Sequence, residues 1–595
     1  MVIKVDAGIE SALALDDELV VATRRPAAVQ CIRWTPDTSG SQTSTELLSR
    51  MGWLGKKVTI REMTHDRPMN LSTWITSDGR AYAVQRIAPG SDPDPKKMYK
   101  GYCFHVPAGP DDRAVRSVIN ARFSLVAVGC ADGSVHVYSA RDYSGNIPPS
   151  HVHKPSVSAS ASGQISTLSY SPDGYCLFAG YGRGWATWSV YGKPLTASFG
   201  ADGADGDGAA AASANNDGEE WLSGVLDAAW VGGGSELLLT SRSHAAVWLL
   251  EMARSAVTGC YGAANLFRTV LQTTSSIMVY RGYDLPDLTS ISAEPALWHT
   301  ARIPATYLLD QWPIRCAVIS PDGRYVAVAG RRGLAHYSVG SGRWKTFPAG
   351  GAGENEFLVR GGMCWYQNVL VAAVEGAGGD GSGSGSGRGR HEIRLYAREA
   401  ALDLGSALHA HAMPAPVVLV APSGEDSLLV YTYDNLLYHF VFAQAPASGA
   451  GGGGVRLIQV GQIAFHGIVR SPARVRGLSW VLPEGQLLDG DPSQDVAVAS
   501  VLFLVDGKLV LLRPSVNGEG QLKYDMRVVA QNVEYYASMR DQPFGRHVAR
   551  GHKEVADRDA AASPGMAGRL QPQLACRSRI EQPRFEHAVR NDGGR

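Results

Sequence analysis

The sequence predicts an all-β protein: tandem WD40-like β-propellers followed by a disordered C-terminal tail. Three observations carry this expectation: a gapless internal repeat, recurring two-residue hairpin turns, and no sustained helical periodicity before about residue 540. The stretch SPDGYCLFAGYGRGWATWSV at 171–190 returns as SPDGRYVAVAGRRGLAHYSV at 320–339. Each copy opens on Ser-Pro-Asp-Gly, where Pro presets φ and Gly accepts the positive φ that a tight turn needs. An apolar stretch follows, then a Gly/Arg break, then a second apolar-aromatic stretch, which reads as turn, strand, turn, strand. Looser relatives are the hairpins at 123–138, turning on Asp132-Gly133, and at 501–512, turning on Asp506-Gly507.

Length agrees with many copies of this unit. A chain of 595 residues exceeds one ordinary core, and its 68 Gly and 31 Pro suit short strands joined by tight turns. Blades of ~40 to 45 residues would place roughly a dozen in the first 540 positions, more than one ring of about 4 to 8 blades holds. Two propellers are therefore expected, at about 1–270 and 271–536, with blades open to sharing between rings. The segment Glu251 to Thr258 is ambiguous between helix and strand.

Low-complexity stretches at 201–219 (ADGADGDGAAAASANNDGE), 376–390 (GAGGDGSGSGSGRGR) and 445–454 (APASGAGGGG) read as flexible insertions at blade edges. The first places Asp202, Asp205 and Asp207 close together, but an EF-hand needs an oxygen ligand where Ala209 stands, so no calcium site is expected. The second lacks the Gly-Lys-Ser/Thr ending of a phosphate cradle.

Charge and chemistry are mostly negative signals. The 56 basic and 56 acidic residues cancel and no basic stripe stands out, so nucleic-acid binding is not expected. The longest apolar run, 496–505, is about half a membrane span. Neither a secreted nor a membrane-spanning chain is expected. The eight cysteines (31, 103, 130, 176, 260, 316, 364, 576) stand singly, as small reduced core residues do. No G-x-S-x-G, H-E-x-x-H or Walker motif occurs, so no catalytic, metal or cofactor site is expected. The pairs His151/His153 and His409/His411 have no Cys, Asp or Glu cluster near them in sequence and are expected to be exposed loop histidines. Trp185 and Trp188 fit a filling of the space between blades better than a stacking platform.

The residues also carry a resemblance. The stretch 312–347, WPIRCAVISPDGRYVAVAGRRGLAHYSVGSGRWKTF, resembles the most characteristic segment of the Ric-one family, the large subunit of a two-subunit guanine nucleotide exchange factor for the Golgi Rab GTPase. Gly184 to Gly192 (GWATWSVYG) is similar to that family's other strong signature, with looser matches at 99–106, 127–138, 361–365 and 529–535. The signature positions in this chain are Trp185, Trp188, Trp312, Pro313, Ile314, Arg315, Gly330, Arg331, Gly333, His336, Tyr337 and Trp344, all with structural roles expected.

The resemblance implies amino-terminal β-propellers followed by a helical solenoid, an arrestin-like partner subunit, peripheral residence on the Golgi membrane from the cytoplasm, and GTP loading of the Rab in endosome-to-Golgi retrograde transport. After about Tyr536 the text turns polar and Arg-rich, so a version truncated before the helical region is expected, with a disordered or spurious tail at 537–595 and no exchange activity of its own. Two other classes stay open: a propeller scaffold in a vesicle coat or tethering complex, and an enzyme with a funnel active site.

Overall fold

The computed structural model describes residues 5–537 apart from 200–223, 282–296, 349–356, 377–389, 445–453 and several shorter stretches. The tail from 538 and nearly all of the three glycine-rich insertions lie outside the described residues. The rest folds into ten antiparallel sheets with strands in simple sequential order. We number them as blades 1 to 10, spanning residues 9–47, 60–105, 114–153, 165–197, 225–251, 254–302, 316–345, 357–413, 417–464 and 475–530. Nine have four strands and blade 5 has three. Among the described residues ten sheets stand where about a dozen were expected, because blades such as 8 and 10 take more chain than the repeat length assumed.

Local chemistry explains the elements. Middle strands such as Leu125–Cys130 and Tyr325–Ala329 are continuous apolar runs and are buried on both faces. Outer strands such as Ala407–Met413 alternate half-buried and exposed positions. The first strands of successive blades pack on one another, Ile9–Ala14 on Ile60–Asp66, and so on through Ala114–Asn120, Ile165–Tyr170 and Val225–Val231. The same succession runs from Cys316–Ile319 through Phe357–Tyr366 and Val417–Ser423 to Val475–Val481. Apolar clusters fill the spaces between adjacent blades. This is an all-β propeller architecture. The expected boundary at 270/271 falls inside the strand Val270–Gln272 of blade 6.

The repeated stretch occupies equivalent places in blades 4 and 7. In each copy the Ser-Pro-Asp-Gly turn joins the first strand to the second, closed by the Gly174 and Gly323 amides donating to the Ser171 and Ser320 carbonyls, with φ +75° at both glycines. Leu177 then pairs with Trp188 as Val326 pairs with Tyr337.

A seam joins sequence-distant blades. The Asp506-Gly507 turn of blade 10 sits against Tyr191 of blade 4: a Cβ on Gly507 would lie 1.7 Å from the Tyr191 hydroxyl, so a larger residue there would have to displace that ring. Arg141 and Tyr191 donate to the Asp506 carbonyl, and Arg474 donates to Ser124 Oγ at 2.9 Å and to Asp506 Oδ2 at 3.2 Å. The segment after blade 10 then returns across the junction. Ser189 Oγ and the Tyr191 amide donate to Glu534, and Tyr535 stacks between Tyr175 and Tyr261 with ring centroids 5.2 and 6.2 Å away. Burial pushes the Glu534 carboxyl above its ordinary range.

Candidate interaction surface

Most of the signature positions are packed inside blades. Trp185 and Trp188 are three residues apart on one strand, so their side chains leave opposite faces. Trp185 meets Phe178, Leu237 and Leu239 towards blade 5, while Trp188 joins Phe123, Leu125 and Val137 of blade 3 and lies 5.3 Å from the His153 ring. Their counterparts behave alike: Leu334 packs on Phe347, Phe357 and Trp365 towards blade 8, and Tyr337 joins Ile277 and Val279 of blade 6. The Tyr337 ring also lies tilted 4.9 Å from that of Trp344 and shares a 2.9 Å hydrogen bond with His299. His336 is buried against Trp365, and burial pulls its imidazole down to about 4.

The remaining signature residues build the lead-in to blade 7. A short helix, Ala305–Gln311, ends at Trp312, and the Trp312-Pro313 peptide is cis. This corner rests on Gly232, Gly233 and Gly234, all at positive φ; a Cβ on Gly232 would come to 3.1 Å of the Trp312 ring and one on Gly233 to 3.3 Å of Pro313. Arg254 ties the corner to blade 4. Its guanidinium donates to the carbonyls of Gly233 at 2.7 Å and Arg315 at 3.1 Å and lies 3.7 Å from Asp173, the aspartate of the first Ser-Pro-Asp-Gly turn. Burial lowers the Arg254 pKa against the opposing pull of Asp173. Ile314 is buried beside it. Gly330 allows the Gln311 carbonyl to approach where a Cβ would stand 2.0 Å away, and the Arg331 amide donates to that carbonyl at 2.8 Å. Gly333, at φ +60°, donates to the Phe357 carbonyl.

What this corner shows to solvent is a mixed apolar and basic patch. Leu309 is 84% exposed and Trp312 40%. Arg315, Arg331 and Arg332 are exposed beside them. Tryptophan and arginine are residue types enriched at protein-binding hot spots. Leu309 and its helix gave no sequence signal, because seven residues are too few to show periodicity.

Two sequence expectations are corrected here. His151 and His153 are not loop residues: they lie on the strand Pro149–His153, with rings 4.8 Å apart, and His153 is buried against Trp188. Burial pulls them down to about 4 and about 3 respectively. His409 and His411 lie on Ala407–Met413, half-buried, because blade 8 runs a fourth strand there. The Glu251 to Thr258 segment divides into a strand end and a single helical turn, Ala256–Gly259. All seven described cysteines are free thiols, five of them buried, as expected of small core residues. Among the described residues no helix is long and apolar enough to cross a membrane.

A family profile described as the RIC1 second beta propeller domain matches residues 273–559. The guanine nucleotide exchange factor subunit ric1 of Schizosaccharomyces pombe is 26% identical over 537 residues, covering 80% of this chain and 49% of its own length. The subunits named RIC1 of Mus musculus and Homo sapiens are 23% and 22% identical, each covering 87% of this chain and 39% of their own length. These matches support a place for the chain in the RIC1 family. It spans about half the length of these curated relatives or less. Two of the stretches that carry the resemblance, 184–192 and 529–535, meet at the seam through Ser189, Tyr191 and Glu534.

Proposed function

We propose that this RIC1-family chain is the propeller scaffold of a two-subunit guanine nucleotide exchange factor, acting with an arrestin-like partner on a Golgi Rab GTPase, peripherally on the Golgi membrane, in endosome-to-Golgi retrograde transport. The observation that carries the reading is the guanine nucleotide exchange factor subunit name shared by relatives that align with four fifths or more of the chain. Exchange requires a surface that binds the nucleotide-free GTPase better than the loaded one. Such a surface displaces the switch-loop, phosphate and Mg²⁺ contacts that hold the nucleotide. The Leu309, Trp312 and arginine patch suits protein docking, and among the described residues it presents no carboxylate cluster aimed at a metal ion. The chain is therefore a docking scaffold whose exchange surface is completed by its partner.

The test measures release of a fluorescent guanine nucleotide from the purified Rab with the chain, the partner subunit, or both, alongside co-purification of the two subunits. Stable association of chain and partner, with no acceleration by the chain alone, is expected. Failure to bind either the partner or the Rab would overturn the reading, and recovery of vesicle-coat subunits instead would favour a coat scaffold. Leu309→Asp should weaken partner or Rab binding at least tenfold while shifting stability by no more than ~0.5 kcal/mol, as exposed positions do. Unchanged binding to both would remove this patch from the interface.

A further inference from the structure

We propose that His105, Asp112, Cys130 and His136 form a binding site for a zinc-class divalent cation at the seam between blades 2 and 3. His105 ends the outer strand of blade 2, Asp112 lies on the connecting segment, and Cys130 and His136 flank the hairpin turn of blade 3. One ligand atom each from His105, Asp112 and Cys130 lie within 4.8 Å of one another. Cys130 Sγ and His136 Nε2 stand 3.7 and 3.5 Å from the same oxygen, Asp112 Oδ1. The two imidazole rings are 5.8 Å apart. His105 and Cys130 are almost fully buried, whereas Asp112 and His136 are half-exposed and open a route for an ion.

The donor set selects the ion. A thiol, two imidazoles and a single carboxylate suit a borderline-soft cation and not calcium or magnesium, which take oxygen ligands. Tetrahedral bonds of about 2.0 to 2.3 Å place ligand atoms roughly 3.3 to 3.8 Å apart. The two distances to Asp112 Oδ1 already fall there, and among His105, Asp112 and Cys130 the widest gap closes with about 1 Å of side-chain rotation. An orienting partner is also in place, since Tyr138 Oη lies 2.7 Å from His105 Nδ1.

Proton positions balance. His105 Nε2 is 2.8 Å from the Asp112 carbonyl, which only accepts, so without metal Nε2 carries the hydrogen and Nδ1 accepts from Tyr138. On binding, that hydrogen moves to Nδ1, where Tyr138 Oη accepts it, and Nε2 takes the ion. The Cys130 proton leaves to solvent. Thiolate and carboxylate then neutralise the divalent charge. The thiolate is the ligand form of cysteine, so the ion itself draws that proton off.

The test uses the full chain, stripped with chelator and titrated with Zn²⁺ by calorimetry and with Co²⁺ by absorption. One ion per chain, a thiolate-to-cobalt charge-transfer band and a raised melting temperature with Zn²⁺ are expected. Cys130→Ser should abolish that band, and His136→Ala, at a half-exposed position the fold tolerates, should weaken binding at least tenfold. Absence of stoichiometric binding, a cobalt spectrum without the thiolate band, or unchanged affinity in both His136→Ala and Asp112→Asn would overturn the proposal and leave the cluster a hydrogen-bonded staple between blades.

Discussion

Trp188 fills the space between blades 3 and 4 from a position 3% exposed. Truncation to alanine removes its apolar contacts and leaves a cavity that β-sheets cannot close, so Trp188→Ala should cost about 3 to 5 kcal/mol in chemical denaturation. A loss below ~1 kcal/mol would mean that the ring does not hold the two blades together. The buried histidines make a second prediction at this scale. Burial holds His151 and His336 down to about 4, against 6.5 for a free imidazole. Between those values the unfolded chain binds protons that the folded chain refuses, so stability falls as pH drops from 6.5 towards 4. Denaturation midpoints across that window should decline with acidification, and His336→Gln should flatten the slope. An unaltered slope in the variant would contradict a neutral, buried His336.

At the scale of the element, blade 5 stands apart. Its third strand, Val247–Glu251, has no described partner on its outer edge, and Val247 and Leu249 are 66% and 57% exposed. Hydrogen exchange should therefore be faster in Val247–Glu251 than in Tyr325–Ala329 of blade 7, whose two edges are both paired. Equal protection would mean that the edge is covered. Elements differ just as much in how far the sequence reveals them. The Asp506-Gly507 hairpin was readable because φ of +48° and +69° is a local demand met by those residue types. The packing of Trp185 and Trp188 between blades was readable because large aromatics on a predicted strand of a propeller face its neighbours. The Pro149–His153 strand was hidden, since two histidines alternating with Val152 look polar until a neighbouring blade buries one of them. The His105, Asp112 and Cys130 cluster left no sequence signal, because its members come from separate segments brought together by the packing of blade on blade.

For the whole molecule, the seam decides whether blades 4 and 10 move as one body. Tyr535 is the middle ring of a stack with Tyr175 and Tyr261, and Tyr261 also bonds both the amide and the carbonyl of Tyr536. Tyr535→Ala should lower stability by on the order of 2 kcal/mol and speed proteolysis at the Asp506-Gly507 turn. If cleavage there stays as slow as in the unaltered chain, the stack is not what fastens the two halves.

The same seam sets a timetable for synthesis. Ser189 and Glu534 are 345 positions apart, so a ribosome adding about 5 to 20 residues per second takes roughly 20 to 70 s to deliver the second after the first. Over that interval the nascent blade 4 presents Tyr175 and Tyr191 without the rings and the turn that will cover them. The first half of the chain must therefore persist, folded but uncovered, in a crowded cell. Chaperone occupancy of ribosome-bound chains should be highest in this window and should end once the codon for Tyr536 has been translated and its residue has cleared the exit tunnel.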